Sequence, residues 1–168
     1  EHNVEAYKYF VGDGVEELAR RALPEGHRDQ DTLARSTTAI REEYSKRWAN
    51  HTRPYKGIPE LLDALTAGNV RIAILSNKPD DSTRATVARL LPKWRFHPIA
   101  GASTSVPMKP HPGGALAIAR SLNLPPEAIL YLGDTATDMK TARAAGMYPV
   151  GALWGFRTAQ ELTESGAK

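Results

Sequence analysis

Apolar and polar positions alternate in two different ways along this chain. In residues 1–53 the apolar positions recur at steps of three and four. Val15, Leu18, Ala19 and Ala22 line one side of "VEELARRAL". Leu33, Thr37, Ile40, Tyr44 and Trp48 line one side of "DQDTLARSTTAIREEYSKRWAN". Both spacings predict helices, and Pro24-Glu25-Gly26 separates them. The stretch "YKYFVGDG" has an aromatic, strand-like run, but nothing there reads as a convincing strand flanked by turns. The pattern predicts a small helical lobe.

From Tyr55 onward the pattern changes. Short apolar runs, "VRIAIL", "HPIAG", "AILYL" and "YPVGALW", predict strands. The stretches "PELLDALTAG", "DSTRATVARLL", "PGGALAIARSL", "ATDMKTARAAG" and "TAQELTES" predict helices around them. Pro59 stands near the start of the first and Gly68 at its stop, the asymmetry expected of a helix. Strands that alternate with helices at this spacing imply parallel strands joined by right-handed crossovers, an α/β layered fold. The expected organisation is a helical part, 1–53, and an α/β part, 54–168.

Charge and composition narrow the function classes. The chain has 168 residues, 22 Lys and Arg against 19 Asp and Glu, and a net charge of +3. The basic residues are scattered, and the doublets Arg20-Arg21 and Lys46-Arg47 sit on helical stretches. Solvated helix faces explain them better than a nucleic-acid surface. There is no cysteine, hence no disulfide framework and no thiolate metal site. No apolar run approaches the roughly 20 residues of a membrane span. The expectation is a cytoplasmic protein, monomer or homodimer, without nucleic-acid or membrane partners.

In α/β folds ligands bind beyond the carboxyl ends of the strands. The residues just after each predicted strand are therefore the candidates. Ser76 and Asn77 follow "VRIAIL". A hydroxyl and an amide at a strand tip can donate to phosphate oxygens, although Ser-Asn-x-Pro is also ordinary turn chemistry. Lys109 follows "HPIAG" in a loop stiffened by Pro107, Pro110 and Pro112. An ammonium on a stiff loop loses less entropy when it meets an anion. Asp134 and Asp138 follow "ILYLG". Two carboxylates at a strand tip suit a hard cation such as Mg²⁺, which takes one or two carboxylates plus phosphate and water. The helix dipole accounts for Asp138 equally well, but not for Asp134.

The order "ILSNK", "MKPHP", "YLGDTATDM" resembles motifs two, three and four of the haloacid dehalogenase-like superfamily. "YFVGDGVEELARRAL", "PYKGIPELLDALTAGNVRIAILSNKPD" and "GALWGFRTAQELTESGA" resemble its phosphoglycolate phosphatase branch. The resemblance implies a three-layer Rossmann-like core with a parallel sheet and a small helical cap. It implies that Ser76, Asn77 and Lys109 bind the transferring phosphoryl group, with Lys109 catalytic. It also implies that Asp134 ligates Mg²⁺ and that Asp138 supports the metal. The implied activity is Mg²⁺-dependent hydrolysis of a small phosphorylated metabolite, first of all 2-phosphoglycolate. Arg20 and Arg21 are the nearest candidates to read a substrate carboxylate, and surface helix charges are the simpler reading of both.

One family motif has no counterpart. The nucleophile motif, D-x-D-G-T at the end of the family's first strand, is missing from these residues. Asp13 stands in "VGDGV", with Val11 where the first aspartate belongs and no threonine after the glycine, so it is a poor nucleophile. The expectation is a segment of a longer protein, with the nucleophile strand lying upstream between "VRIAIL" and "AILYL" in the sheet. By itself residues 1–168 would then form no aspartyl-phosphate. The alternatives are a sugar-phosphate mutase of the same superfamily, or a non-catalytic protein that binds a phosphorylated ligand or a partner.

Overall fold

The structure, a computed structural model, describes residues 2–168. It divides into two compact units, Glu1–Arg53 and Pro54–Lys168.

The first unit is helical. Its helices are α1 (Val4–Phe10), α2 (Val15–Ala22) and α3 (Gln30–Arg47). The aromatic run that looked strand-like is α1. Asn3 caps it by accepting the Ala6 N–H, and Glu5 pairs with Lys8 one turn on. Tyr7 and Phe10 pack edge-on at 5.3 Å on one side of it. Local capping and i,i+3 contacts outweigh the aromatic β-preference here. Asp29 caps α3 in the same way. Ala19 of α2 and Thr37 of α3 are the buried residues of the unit among those described. Asp13 is held by Arg21 at 2.7 Å, and the same guanidinium donates to the carbonyls of Tyr9 and Phe10. That set of bonds closes the α1–α2 turn.

The second unit is α/β. Helix α4 (Ile58–Ala67) ends at Gly68 as expected. Strand β1 is Ile74–Pro79, later than the predicted "VRIAIL". Its partner β2 (Ile99–Ala102) follows Pro98, which has no N–H to offer a ladder, so regular pairing starts only at Ile74 opposite Ile99. The two strands run parallel to Pro79 opposite Ala102, with a bulge between, so Ser76 and Asn77 lie in the strand rather than after it. Helix α5 (Asp80–Leu90) joins β1 to β2. Helix α6 (Gly113–Leu122) stops at Asn123, which takes the left-handed conformation that asparagine tolerates. Strand β3 (Leu130–Gly133) pairs in parallel with β4 (Tyr148–Gly151), and α7 (Ala136–Ala144) crosses between them. Helix α8 (Ala159–Glu164) closes the chain of elements.

One cluster in the core of this unit is rich in alanine. Ala115 and Ala119 of α6 meet Ala142 of α7, with Ala145 and Met147 completing the cluster. Leu75 of β1 and Tyr131 of β3 both pack on it. Alanines let the helices sit close to the strands, and close packing is where dispersion contributes most. Among the described residues the ladders are separate: β1 pairs with β2, and β3 with β4. The second face of β3–β4 is open, with Leu130, Leu132 and Tyr148 exposed by 62%, 42% and 49%.

Candidate active site

The loop before α6 is tied to β1 by one side chain. The Asn77 amide accepts the Lys109 N–H through Oδ1 at 2.6 Å and donates through Nδ2 to the Lys109 carbonyl at 3.1 Å. An amide has a donor and an acceptor at the right spacing to close such a ring with a backbone unit. Asn77 thereby fixes where Lys109 leaves its loop. The Lys109 ammonium then reaches Asp138 Oδ1 at 2.7 Å, with the two side chains only 14% and 7% exposed.

Asp138 is held from its other side as well. Thr135 caps α7 and accepts the Asp138 N–H, while Asp138 Oδ2 accepts the Thr135 N–H at 3.2 Å and the Thr135 hydroxyl at 2.6 Å. This is a capping box with Asp at the third helical position. Both carboxylate oxygens are therefore engaged. Gly133 makes room for them: a Cβ there would lie 2.2 Å from Asp138 Cβ and 2.9 Å from Oδ2. Beneath them the Tyr131 hydroxyl is buried without a hydrogen-bond partner among the described residues. Burial, and then the charge of Asp138, push the Tyr131 phenol well above its usual pKa, so it stays protonated.

Asp134 has a different environment. Its Oδ2 accepts the Phe156 N–H at 3.1 Å. The backbone of Gly155 lies against it so closely that a Cβ would come within 2.4 Å of the same oxygen. Ser76 Oγ accepts the Lys78 N–H at 3.1 Å, the local turn bond that its sequence context suggested.

Thus Asn77, Lys109 and Asp138 come together in one chain of bonds. Ser76 stands one residue before Asn77 on β1, and Asp134 sits at the end of β3 against the 155–156 backbone. The positive group beside the second carboxylate is, in this structure, the Lys109 ammonium. Sequence reasoning missed Thr135, Gly133, Gly155 and Tyr131. Thr-x-x-Asp at a predicted helix start was a legible capping signal for the first. The close approaches of Gly133 and Gly155 leave no mark in the local sequence.

The donor set is compatible with a hard cation. Asp134 offers a carboxylate with a hydrogen bond on one oxygen, which suits a metal that keeps several waters and a phosphate. Among the described residues no group of three or more His, Cys, Asp or Glu gathers into a metal cage. Of the two carboxylates, Asp134 is the one left open toward such an ion, because Asp138 is already bonded to Lys109 and Thr135.

Comparison with known proteins completes the picture. A family model described as haloacid dehalogenase-like hydrolase matches residues 1–146. A phosphoglycolate phosphatase of Nitrosospira multiformis is 30% identical over 165 residues, covering 96% of this chain and 72% of that protein. One from Pseudomonas putida is 30% identical over 156 residues, covering 91% of this chain and 57% of that protein. The crystal structure of a Lactobacillus delbrueckii subsp. bulgaricus protein, provisionally named a phosphoglycolate phosphatase, superposes with a TM-score of 0.91 at 27% identity. The match covers 100% of this chain and 78% of that one. A β-phosphoglucomutase from Clostridium difficile shares the fold, with a TM-score of 0.68 at 22% identity over 97% of this chain and 72% of that one.

Proposed function

The chain belongs to the haloacid dehalogenase-like hydrolases and to their phosphoglycolate phosphatase-like branch, and from that premise we propose that the protein carrying it hydrolyses a small phosphomonoester, 2-phosphoglycolate first. The observation that carries this reading is the Asn77–Lys109–Asp138 chain. It holds a largely buried ammonium in a fixed place at one end of a parallel sheet. A phosphoryl group in transfer spreads negative charge over its equatorial oxygens, and a pre-positioned cation stabilises that charge without reorganising.

Each residue then has a task. Lys109 faces the phosphoryl oxygens and the nucleophile. Asn77 sets the Lys109 backbone, and Asp138 with Thr135 sets its ammonium. The Ser76 hydroxyl turns from the Lys78 N–H to donate to a phosphoryl oxygen. Asp134 holds Mg²⁺, which when bound adds positive charge against the same oxygens. The nucleophile of this reading is the first aspartate of a D-x-D-G-T motif, which residues 1–168 do not contain. Its carboxylate oxygen bonds to phosphorus as the ester P–O bond breaks, and the leaving alkoxide takes a proton from a neighbouring acid. Water then cleaves the aspartyl-phosphate to release inorganic phosphate.

The test is turnover by the parent protein on a panel of small phosphate esters, with Mg²⁺ and with a chelator. Hydrolysis that is lost with Mg²⁺ and restored by it supports the reading. Turnover undiminished by complete Mg²⁺ removal overturns the metal's part in it. A panel in which phosphoglycolate ranks among the worst esters overturns the substrate. Movement of the phosphoryl group between positions on one sugar, in place of release, would make the protein a mutase.

A further inference from the structure

Far in sequence from these motifs, the helical unit contains a cleft of about 560 Å³ within itself. Arg20, Arg28 and Arg41 line it, and Glu16 is the one acid among its lining residues. The cleft therefore carries two positive charges in excess. The three guanidiniums are poorly committed elsewhere. The Arg41 guanidinium has no hydrogen bond or ion pair with any described residue. Arg28 donates only its Nε, to the Leu23 carbonyl at 3.0 Å, which fixes the plane of the group and leaves both Nη atoms available. Arg20 lies 3.5 Å from Glu17 on the exposed side of α2, a contact of little energetic weight.

A second observation points the same way. Thr37 lines the same cleft, is 5% exposed, and its hydroxyl is buried with no hydrogen-bond partner among the described residues. A threonine inside a helix ordinarily bonds back to the carbonyl four residues earlier. Its neighbour Thr38 does so, donating to Ala34 at 3.0 Å. An orphaned buried hydroxyl costs about 1–3 kcal/mol, so it asks for an explanation. Arginines around one cleft and an idle donor in its wall both become favourable when an anion sits among them. Arginine forks match the paired oxygens of carboxylate and phosphate.

We propose that the α2–α3 cleft binds a small dianionic oxyanion, held chiefly by Arg28 and Arg41, with the Thr37 hydroxyl as a further donor in its wall. Free phosphate and a small dicarboxylate share this chemistry, and the experiment separates them.

The chain is labelled with ¹⁵N and titrated with inorganic phosphate in one arm and malonate in another. Sodium chloride at matched ionic strength is the control. Amide signals of residues 33–41 shift saturably with phosphate, with malonate or with both, and which arm responds names the source. Chloride leaves them in place. Arg41→Gln and, separately, Arg28→Gln weaken that binding about tenfold or more while the melting temperature stays within a degree or two. Thr37→Val weakens it less. Shifts confined to residues 76–78 and 109 overturn the proposal, as does equal binding by Arg41→Gln and Arg28→Gln, or an equal response to chloride. Because the readout is local to the helical unit, the outcome is independent of whether the α/β unit takes part in phosphate-ester hydrolysis. Lys109→Ala leaves these shifts unchanged.

Discussion

The two units treat charge in opposite ways. In the helical unit, apart from Arg21–Asp13 at the α1–α2 turn, the ion pairs lie along helix surfaces. Lys8–Glu5, Arg21–Glu17 and Arg47–Glu43 are spaced three or four residues apart, and water reaches them. Such pairs support helices and little else. In the α/β unit the pair Lys109–Asp138 joins positions 29 residues apart and is almost closed to solvent. It is held at both ends by a third and a fourth residue, Asn77 and Thr135. A buried pair is weak evidence for stability as such, because desolvation offsets its attraction. What it supplies is a charge with a fixed address, and a fixed charge is what a phosphoryl transition state rewards.

The largest expected effect tests that contrast directly. In the parent protein Lys109→Ala lowers kcat roughly 100-fold or more, the scale of losing one pre-positioned electrostatic donor. Arg47→Ala, which removes a cation from the surface of α3, leaves kcat within a factor of about two. Steady-state kinetics on the best ester decide it. A Lys109→Ala enzyme with near-normal kcat would reduce the lysine to a loop residue and erase the distinction between the units.

Stability follows the same divide with smaller numbers. Asp138→Ala strands a largely buried ammonium and removes the reciprocal half of the α7 capping box, so it costs about 3–5 kcal/mol in chemical denaturation. Glu43→Ala, at the exposed Arg47 pair, costs within about 0.5 kcal/mol. Equal losses at the two sites would show that the buried pair is no more committed than the surface one. Glycine gives a third comparison. In Gly101 an added Cβ would lie 2.4 Å from Asp80 Cα and 2.7 Å from the Lys78 carbonyl, both backbone atoms that cannot turn aside. Gly101→Ala therefore costs about 1–3 kcal/mol. Nothing lies within 4 Å of a Cβ built on Gly26 in the helical unit, so Gly26→Ala is close to neutral. A Gly101→Ala protein that melts with the native one would mean that β2 shifts freely against α5.

These contrasts also show what could be read before the structure. The period of the apolar positions carried the α/β alternation, because burial against helices requires it of every strand. It failed in "VRIAIL", where the ladder's start depends on Pro98, a residue 24 positions beyond Ile74. It left "YKYF" undecided within the expected helical lobe, where an asparagine cap and local pairs settle it as helix. Of the candidate site, Asn77, Lys109 and Asp138 were visible as polar residues near strand ends. Their mutual wiring was not, because an amide gripping a backbone 32 residues away has no local pattern. The steric demands behind Gly133 and Gly155 are likewise tertiary, and a glycine after a strand reads as a turn whatever presses on it.

The smallest expected effect concerns pH and lies at the join of β1, α5 and β2. Asp80 opens α5, binds Arg84 Nε at 2.7 Å, and accepts the Gly101 N–H at 2.8 Å. The Arg84 guanidinium first, then the Gly101 N–H, hold its carboxyl below the ordinary aspartate value of about 3.9. In the unfolded chain that value is restored, so between the two the unfolded state binds more protons than the folded one. Stability drawn from Asp80 is therefore complete above the unfolded value and is lost as pH falls through the folded one. Asp80→Asn keeps an acceptor for Gly101 but has no proton to take up. The variant is less stable than the native protein at pH 7, and the gap narrows as pH drops below about 4. Asp29 and Asp63, whose carboxyls are also held low, titrate in both proteins and cancel in the difference. Urea denaturation of both proteins at pH 7 and pH 3 measures the gap. A gap that stays constant or widens in acid would show that Asp80 acts through shape alone. The α/β unit's ordered charges would then stop at Lys109 and Asp138 instead of extending to the start of α5.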